Sequence, residues 1–231
     1  MALPGRLRLM SPRYRRRAMQ IVDLLRRDSN FHYCGVGPYA VADMMSLGVP
    51  AEKVSMGAYY VEPGLRKPHW STDGLTRLLW VGRMIPLKRV DTILRALSVL
   101  PMEKFTLTLV GDGAEKSALM RQARDLPVTF LPPQPMERVR DIMRQHDIFI
   151  FPSNAYEGWG AVVSEALEEG MAVVGSREAG ACAALLPEGN LFSCGDWRNL
   201  AELLLHPVAA TGIGNGAIER GVDQVLEFIK R

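Results

Sequence analysis

The stretch FPSNAYEGWGAVVSEALEEG, residues 151–170, decides the fold class. The apolar run Ile148 to Phe151 leads into it, two glycines interrupt its middle, and a helical pattern runs from Ala161 to Glu169. A strand, a glycine-containing loop and a helix in this order are typical of a βαβ unit, whose next strand lies parallel to the first. We predict that next strand at Ala172 to Gly175.

The same alternation of strand and helix extends back to Arg77 and forward to the end of the chain. Short apolar, β-branched runs predict further strands at Arg77 to Val81, Thr106 to Val110 and Val128 to Leu131. Amphipathic patterns predict helices at Lys88 to Leu100, Ala114 to Ala123, Met136 to Gln145, Trp197 to Leu205 and Ala217 to Ile229. This pattern predicts an α/β fold with a doubly wound parallel sheet.

The chain before this region has a different pattern. Tyr33 to Tyr39, Ala40 to Leu47 and Lys53 to Met56 predict a strand, a helix and a strand, and proline and glycine then interrupt every pattern up to Gly74. We therefore predict a domain boundary after residue 73. Residues 1–73 are too few for a complete nucleotide-binding domain and are predicted to be the last units of one, followed by a linker.

Composition excludes several classes of protein. The chain is 48% hydrophobic, enough for a sizeable core, yet lacks an apolar run as long as a membrane span or a secretory signal. We therefore expect a soluble, cytoplasmic protein. The net charge of +3 is too small to indicate nucleic-acid binding. Three cysteines, an odd number without metal-type spacing, are expected to be reduced and structural.

The first segment is rich in arginine, with apolar residues among the charges. Two interpretations remain open. The segment could be a basic amphipathic helix that contacts anionic lipid at the inner face of the membrane, or a helix with an ordinary solvated face. The arginines concerned are Arg6, Arg8, Arg13, Arg15, Arg16, Arg17, Arg26 and Arg27.

Ligands of open parallel sheets bind beyond the carboxyl ends of the strands, so polar residues after apolar runs are candidate site residues. In WVGRMIPLK, residues 80–88, Gly82 permits a tight turn, and Arg83 and Lys88 flank the loop. Two cations near a helix start suit a diphosphate, although either one alone could be a surface charge. In LVGDG, Gly111 could let the backbone approach a ligand or could only form a turn.

The decisive stretch carries two carboxylates at informative positions. Glu157 precedes the predicted helix and Glu165 lies in its second turn, so both could face one cleft. Carboxylates accept hydrogen bonds from vicinal hydroxyls, and the helix start beside Gly158 and Gly160 offers N–H groups to a phosphate. A sugar joined through a diphosphate to a ribose presents such partners. Glu168 and Glu169, at the end of the helix, are expected to face solvent.

Four segments in order resemble the C-terminal domain of the group 1, family 4 glycosyltransferases, which are retaining enzymes with two facing Rossmann-like domains (the GT-B architecture). They are LLWVGRMIPLKRVDTILRAL, FTLTLVGDG, VTFLPPQPMERVRDIMRQHDIFIFPS and EGWGAVVSEALEEGMAVVGS. The resemblance implies a Rossmann-like sheet from residue 74 to 231, and residues 1–73 as the remnant of the acceptor-side domain. One departure is Ala183, which stands where many members of the family carry a glutamate.

The resemblance also implies the roles of individual residues. Arg83 and Lys88 would bind the donor diphosphate and support its departure, Glu157 would contact the donor sugar, and Glu165 the ribose hydroxyls. Together, Arg83, Lys88 and Glu157 would form the catalytic set. Leu131 and Val139 would lie beside the base. Further donor-binding positions would be Gly82, Gly111 and the backbone of Gly158, Trp159, Gly160, Ala161 and Val162.

The expected activity is the transfer of a hexose from a nucleoside diphosphate sugar to a hydroxyl of a saccharide or lipid-linked acceptor, with retention. No metal or cofactor is expected, and none of His32, His69, His146 and His206 has metal-ligand spacing. The alternative is a truncated or split module that binds the nucleotide sugar without transferring it. A dinucleotide-dependent oxidoreductase is disfavoured because no GxGxxG joins a strand to a helix.

Overall fold

The computed structural model describes residues 11–27, 30–59, 61–64 and 71–206. These residues divide into two compact units, one up to Tyr59 and the other from Val61 to His206. The contacts thus divide the chain earlier than the boundary predicted after residue 73. The predicted helix Ala217 to Ile229, and Arg6 and Arg8, lie outside the described residues.

The first unit contains two parallel strands and two helices. Its elements are α1 (Pro12–Arg27), β1 (Tyr33–Val36), α2 (Pro38–Ser46), a 3-10 turn (Ala51–Lys53) and β2 (Val54–Gly57), and β1 pairs with β2. A small core of Val22, Leu25, Met44 and Val49 holds them together. The predicted strand, helix and strand are therefore confirmed, with the helix beginning earlier than expected, at Pro38.

The second unit is built on a six-stranded sheet in which every strand pair is parallel. The strand order is β5-β4-β3-β6-β7-β8, which makes the sheet doubly wound, as predicted. The strands are β3 (Thr76–Val81), β4 (Phe105–Val110), β5 (Val128–Leu131), β6 (Ile148–Phe151), β7 (Ala172–Ser176) and β8 (Leu191–Phe192).

Six helices accompany this sheet and connect or follow its strands. Every residue of β6 and β7 is buried, as expected for central strands of a parallel sheet covered on both faces. Trp80, Leu109, Ile150 and Val174 come from four neighbouring strands and belong to one large core cluster. The helices are α3 (Val90–Leu97), α4 (Lys116–Gln122), α5 (Met136–Met143), α6 (Ala161–Glu168), α7 (Gly180–Leu185) and α8 (Trp197–Leu205).

Three local features differ from the sequence prediction. The first helix of this unit begins at Val90 rather than Lys88, because a 3-10 turn at Pro86–Lys88 and a left-handed Arg89 precede it. The second and third are α7 and β8, which were not predicted. The sequence of α7, GACAAL, has no polar face that would show a helical period, and β8 contains only two residues.

The end of α6 corrects a further prediction, because Glu168 and Glu169 are buried instead of facing solvent. Glu169 pairs with Arg144 through Oε2 and Nε at 2.7 Å and with Arg140 at 3.0 Å. Glu168 accepts a hydrogen bond from the backbone N–H of Gly64 at 3.1 Å. Buried carboxylates require such partners, and a run of charged letters in the sequence does not show whether partners are present.

Candidate functional site

The candidate site lies at the carboxyl ends of β3 and β6, which are neighbours in the sheet. After β3 the chain continues to β4 on one side, and after β6 it continues to β7 on the other side. This reversal is the switch point of a doubly wound sheet, where the two following loops diverge and leave a crevice. Residues 82–89 form the first loop and residues 152–160 the second.

Lys88 and Glu157, predicted as site residues on separate grounds, form an ion pair across these two loops. Their side chains are only 16% and 14% exposed, so the pair is partly shielded from water. The Lys88 ammonium also lies 5.2 Å from the centre of the Phe151 ring, a cation–π distance. The Asn154 N–H donates to the Leu87 carbonyl at 2.9 Å, which ties the loops together beside the pair.

Arg83 lies in the same loop as Lys88 but differs in its surroundings. Its side chain is exposed, and within the described ranges no residue pairs with its guanidinium. A guanidinium presents five N–H donors in a planar fork that matches phosphate oxygens. The loop after β3 therefore offers one cation held by a carboxylate and a second cation open to an anion.

Glu165 lies in the second turn of α6, as predicted, and is half-buried. Its Oε2 atom is buried and has no hydrogen-bond partner among the residues that the structure describes. Burial raises the pKa of this carboxyl above its ordinary value, and the positive charge of Arg140 acts in the opposite direction. A buried acceptor without a donor is costly, so this oxygen is suited to receive a hydroxyl from a ligand.

In the loop between β6 and α6, the backbone of Gly158 is exposed. Gly160, with φ 94°, forms the N-cap of α6, and a β-carbon there would lie 2.5 Å from the Phe151 ring. Trp159 is 3% exposed, and its indole N–H donates to Ser164 at 3.3 Å. Gly158 has open space where a β-carbon would be. Trp159 thus anchors the loop, while Gly158 leaves it accessible.

The turn after β4 is explained by contact with the loop after β3. Gly111 is buried with φ 144°, and a β-carbon on it would overlap the Gly82 carbonyl oxygen. Its own N–H donates to the Leu131 carbonyl at 3.0 Å, while the Gly82 N–H donates to Val110 at 3.0 Å. The structure accounts for glycine at position 111 by this close approach of two loops.

Most of the second unit matches a known protein family. The family described as glycosyl transferases group 1 matches residues 76–219, more than half of the chain. The chain belongs to the group 1 glycosyl transferases. This match begins at the first residue of β3 and includes both loops of the candidate site.

Individual relatives agree with this membership of the group 1 glycosyl transferases. A D-inositol 3-phosphate glycosyltransferase of Rhodococcus opacus (strain B4) is 33% identical over 156 residues, covering 60% of this chain and 34% of that protein. The structure of Anabaena Alr3699/HepE in complex with UDP covers 96% of this chain and 68% of its own, with TM-score 0.72 and 20% identity. The apo lipopolysaccharide outer core galactosyltransferase WaaB covers 86% of this chain and 61% of its own, with TM-score 0.70 and 19% identity.

This group 1 glycosyl transferase matches part of the length of its relatives and shares its fold with the solved structures. The chain spans about a third of the length of the curated relatives, 34% of the one described above. The likeness to solved structures, at or below 20% identity for both, shows the fold alone. That fold is the Rossmann-like parallel sheet of the GT-B glycosyltransferases, which confirms the predicted fold class.

The remaining predicted positions of this group 1 glycosyl transferase lie at the edges of the site. Leu131 ends β5 and is half-buried, whereas Val139 is buried within α5. Gly82 directly follows β3, and Ala161 and Val162 begin α6, which has no side chain capping its first N–H groups. Backbone donors at the start of α6 are therefore available to an anion.

Sequence reasoning missed Glu178, which follows β7. Its carboxylate accepts hydrogen bonds from the Ser176 hydroxyl at 2.9 Å and from the Cys194 N–H at 3.0 Å. Its position directly after a buried strand is the same signal that identified Arg83 and could have revealed it. Ala183 lies within α7, so no carboxylate comes from that helix position.

Two features are absent from the described residues of this group 1 glycosyl transferase. Within these ranges, no three side chains of His, Cys, Asp or Glu gather as a metal site would require. No described helix combines the length and the apolar character needed to cross a bilayer.

Proposed function

We propose that this chain binds a nucleoside diphosphate sugar and transfers its hexose to a hydroxyl acceptor with retention, as a family 4 member of the group. The observation that carries the proposal is the Lys88–Glu157 ion pair at the switch point of the sheet. The pair joins a cation suited to a phosphate with a carboxylate suited to sugar hydroxyls. A structure of similar fold supports a nucleotide sugar as donor, since that of Alr3699/HepE was determined with UDP-glucose.

In this proposal the diphosphate lies between the loop after β3 and the start of α6. The Lys88 ammonium has three N–H donors, so it can keep Glu157 and still donate to a phosphate oxygen. Arg83, which has no partner among the residues described, supplies the second cation. Both cations stabilise the negative charge that develops as the diphosphate departs, an effect of several kcal/mol in other enzymes.

Glu157 and Glu165 orient the two sugar rings of the donor. Glu157, held by Lys88, accepts hydrogen bonds from hydroxyls of the hexose. The Oε2 atom of Glu165, which is unpaired among the described residues, accepts a hydrogen bond from a hydroxyl of the ribose. Since Lys88, Arg83 and the helix start offset the phosphate charge, we propose that the reaction needs no metal or other cofactor.

Titration calorimetry with UDP, GDP and UDP-glucose, together with a transfer assay, tests the proposal. Lys88→Ala and Arg83→Ala should each reduce transfer by more than about tenfold, since removing one preorganised donor to developing charge costs at least that much. The melting temperature of Arg83→Ala should change little, whereas that of Lys88→Ala should fall because Glu157 loses its partner. Arg138→Ala is the matched control, because Arg138 is an exposed cation paired only with Asp141 on α5. Near-normal transfer by Lys88→Ala or by Arg83→Ala would contradict the role given to that residue.

A second candidate function is a module that binds the nucleotide sugar without transferring it alone. It is favoured by the placement of the donor-side residues, because Lys88, Glu157 and Glu165 all belong to the second unit. Calorimetric binding without transfer, in the presence of excess EDTA and over several acceptors, would support the module. Absence of binding to every nucleotide and sugar nucleotide tested would contradict both candidates. Transfer that persists in EDTA would support metal independence.

We further propose that the enzyme works in polysaccharide or glycolipid biosynthesis in the cytoplasm, with α1 on the inner face of the membrane and a lipid-linked acceptor. Tyr14, Ile21 and Leu24 are exposed on α1, whose exposed residues also include Arg13 and Arg17. Exposed apolar side chains beside arginines suit an anionic bilayer surface. Co-sedimentation with vesicles containing anionic lipid at low salt should occur, and should fail with vesicles of neutral lipid. Equal recovery with both, or with neither, would contradict this part of the proposal.

A further inference from the structure

We infer that Arg89 is a positioning residue that fixes Lys88 for donor binding. The inference rests on the proposed function and begins from the backbone. Arg89 has φ 49° and ψ 39°, and no other non-glycine residue in the described part of the chain has a positive φ. This left-handed conformation is costly for a residue with a β-carbon, whereas glycine adopts it freely. Residues held in such conformations need surrounding contacts to persist, and they cluster at functional sites.

The contacts that hold Arg89 come from its guanidinium. Nε donates to Asp91 Oδ1 at 3.1 Å and Nη2 to Asp91 Oδ2 at 3.4 Å, so both oxygens of one carboxylate are engaged. Nη1 lies 3.9 Å from the sulfur of Cys194, and the Cys194 thiol points to the Pro152 carbonyl, also at 3.9 Å. The side chain is therefore fixed at both ends of its guanidinium.

These contacts join loops that follow three different strands. Arg89 itself belongs to the loop after β3, Pro152 begins the loop after β6, and Cys194 follows β8. Gly195, with φ 83°, leaves room for the guanidinium, because a β-carbon there would approach Nη2 to 3.3 Å. Lys88 and Glu157 lie on the first two of these loops. Arg89 consequently links the segments that carry the ion pair.

The position of Arg89 in the chain explains how it acts on Lys88. The 3-10 turn ends at Lys88, whose N–H donates to Ile85 at 2.9 Å, and α3 starts at Val90. The left-handed residue between them ends the 3-10 turn and forms the N-cap of α3. As a result, the Arg89 side chain reaches Asp91 and Cys194 while the Lys88 side chain reaches Glu157 and Phe151. The guanidinium contacts hold residue 89 in that conformation together with the Thr92 N–H, which donates to the Arg89 carbonyl at 3.0 Å.

A positioning role and a purely structural role predict different results for Arg89→Gly. Glycine relieves the backbone cost and removes the guanidinium, so the melting temperature should stay within about 3 °C of the parent chain. The affinity for UDP should nevertheless fall about five- to twentyfold, because Lys88 is no longer directed at the site. Arg89→Asn is the second variant, since asparagine tolerates the left-handed region without adding the flexibility of glycine.

A double-mutant cycle decides whether Arg89 acts through Lys88. UDP affinity is measured by calorimetry for the full chain, Arg89→Gly, Lys88→Ala and the double variant, with Arg138→Ala as control. We expect Arg89→Gly to weaken binding in the parent chain and to have no further effect in the Lys88→Ala background. An unchanged affinity in Arg89→Gly, or an undiminished loss in the Lys88→Ala background, would overturn the inference.

A readout without ligand separates failure of this inference from failure of the proposed function. Limited acetylation with acetic anhydride, followed by mass spectrometry, measures how available the Lys88 amine is. In Arg89→Gly and Arg89→Asn the labelling of Lys88 should rise several-fold, while exposed Lys104 should label as before. Unchanged Lys88 labelling overturns the inference even if UDP binds. Raised labelling in a chain that binds no nucleotide supports the positioning role and overturns the proposed function alone.

Discussion

The variant Glu165→Gln tests the carboxylate oxygen that is buried without a hydrogen-bond partner. An unsatisfied buried polar group costs about 1–3 kcal/mol, and more when it is charged. Glu165 is half-buried, and the charge of Arg140 offsets part of this cost. We therefore expect the unsatisfied oxygen to lower the free energy of unfolding by about 1 kcal/mol. Glutamine keeps the shape and removes the charge. We therefore expect the melting temperature at pH 7 to rise by about 2–4 °C, the shift such an energy causes in a domain of this size.

The pH dependence of this gain follows from the direction of the pKa shift. Burial raises the pKa of Glu165, so in the window between the ordinary and the raised value the folded state holds more protons than the unfolded state. The contribution of Glu165 to the free energy of unfolding is therefore fully present below its ordinary pKa of about 4.3. It is lost as the pH rises through the raised pKa of the folded state. The gain from glutamine should accordingly vanish near pH 4 and grow as the pH rises through the raised pKa of Glu165.

The same substitution should weaken donor binding while it stabilises the fold. A hydrogen bond to a charged group contributes about 1.5–3 kcal/mol, which corresponds to roughly ten- to hundredfold weaker UDP binding. Thermal melting from pH 4 to 8 and calorimetry with UDP measure the two effects on one sample. A lower melting temperature at pH 7, or a higher one with UDP affinity unchanged, would refute the reasoning.

Glu169→Gln provides a matched control one helical turn away. The Glu169 side chain is fully buried and pairs with both Arg140 and Arg144. Removing one partner of a buried ion pair costs about 3–5 kcal/mol, and we expect about 2 kcal/mol here because Arg144 can reach water. The melting temperature should therefore fall. Opposite changes in melting temperature for Glu165→Gln and Glu169→Gln would show that the partners of each carboxylate, and not the loss of a negative charge, determine stability.

Two other predictions concern residues outside the ion pair. Gly111→Ala should destabilise the fold by about 2 kcal/mol or more and weaken UDP binding, because the new β-carbon would overlap the Gly82 carbonyl. Urea unfolding measures the loss of stability. Gly189→Ala is the control, because a β-carbon at Gly189 would lie in open space. A native-like stability for Gly111→Ala would contradict the contact. Burial raises the pKa of the Cys182 thiol, so a disulfide reagent should modify exposed Cys34 in the native chain and Cys182 only after unfolding. Rapid native modification of Cys182 would show that α7, which carries this cysteine, does not pack against Gly175 of β7.

Much of the candidate site could be predicted from strand ends alone. Arg83 and Lys88 follow β3, and Glu157 follows β6, so the rule for open parallel sheets was enough to select them. The direct pairing of Lys88 with Glu157 was not predicted, because it depends on β3 and β6 being neighbours, and strand order is not written in local sequence. Arg89 gave no signal either, since a left-handed backbone at an arginine is the result of contacts distant in sequence.

By itself, the sequence determined the order of strands and helices from β3 to α6, because hydrophobic periodicity and glycine positions depend on neighbouring residues. It also determined that the polar loops fall after buried strands. Only the tertiary structure decided which charges have partners: Glu168 and Glu169 are buried and bonded, Glu165 keeps an unpaired oxygen, and Lys88 meets Glu157. The reason is physical. The free energy of a charge in a protein depends on its solvation and on partners brought close by folding, and neither is a property of nearby sequence.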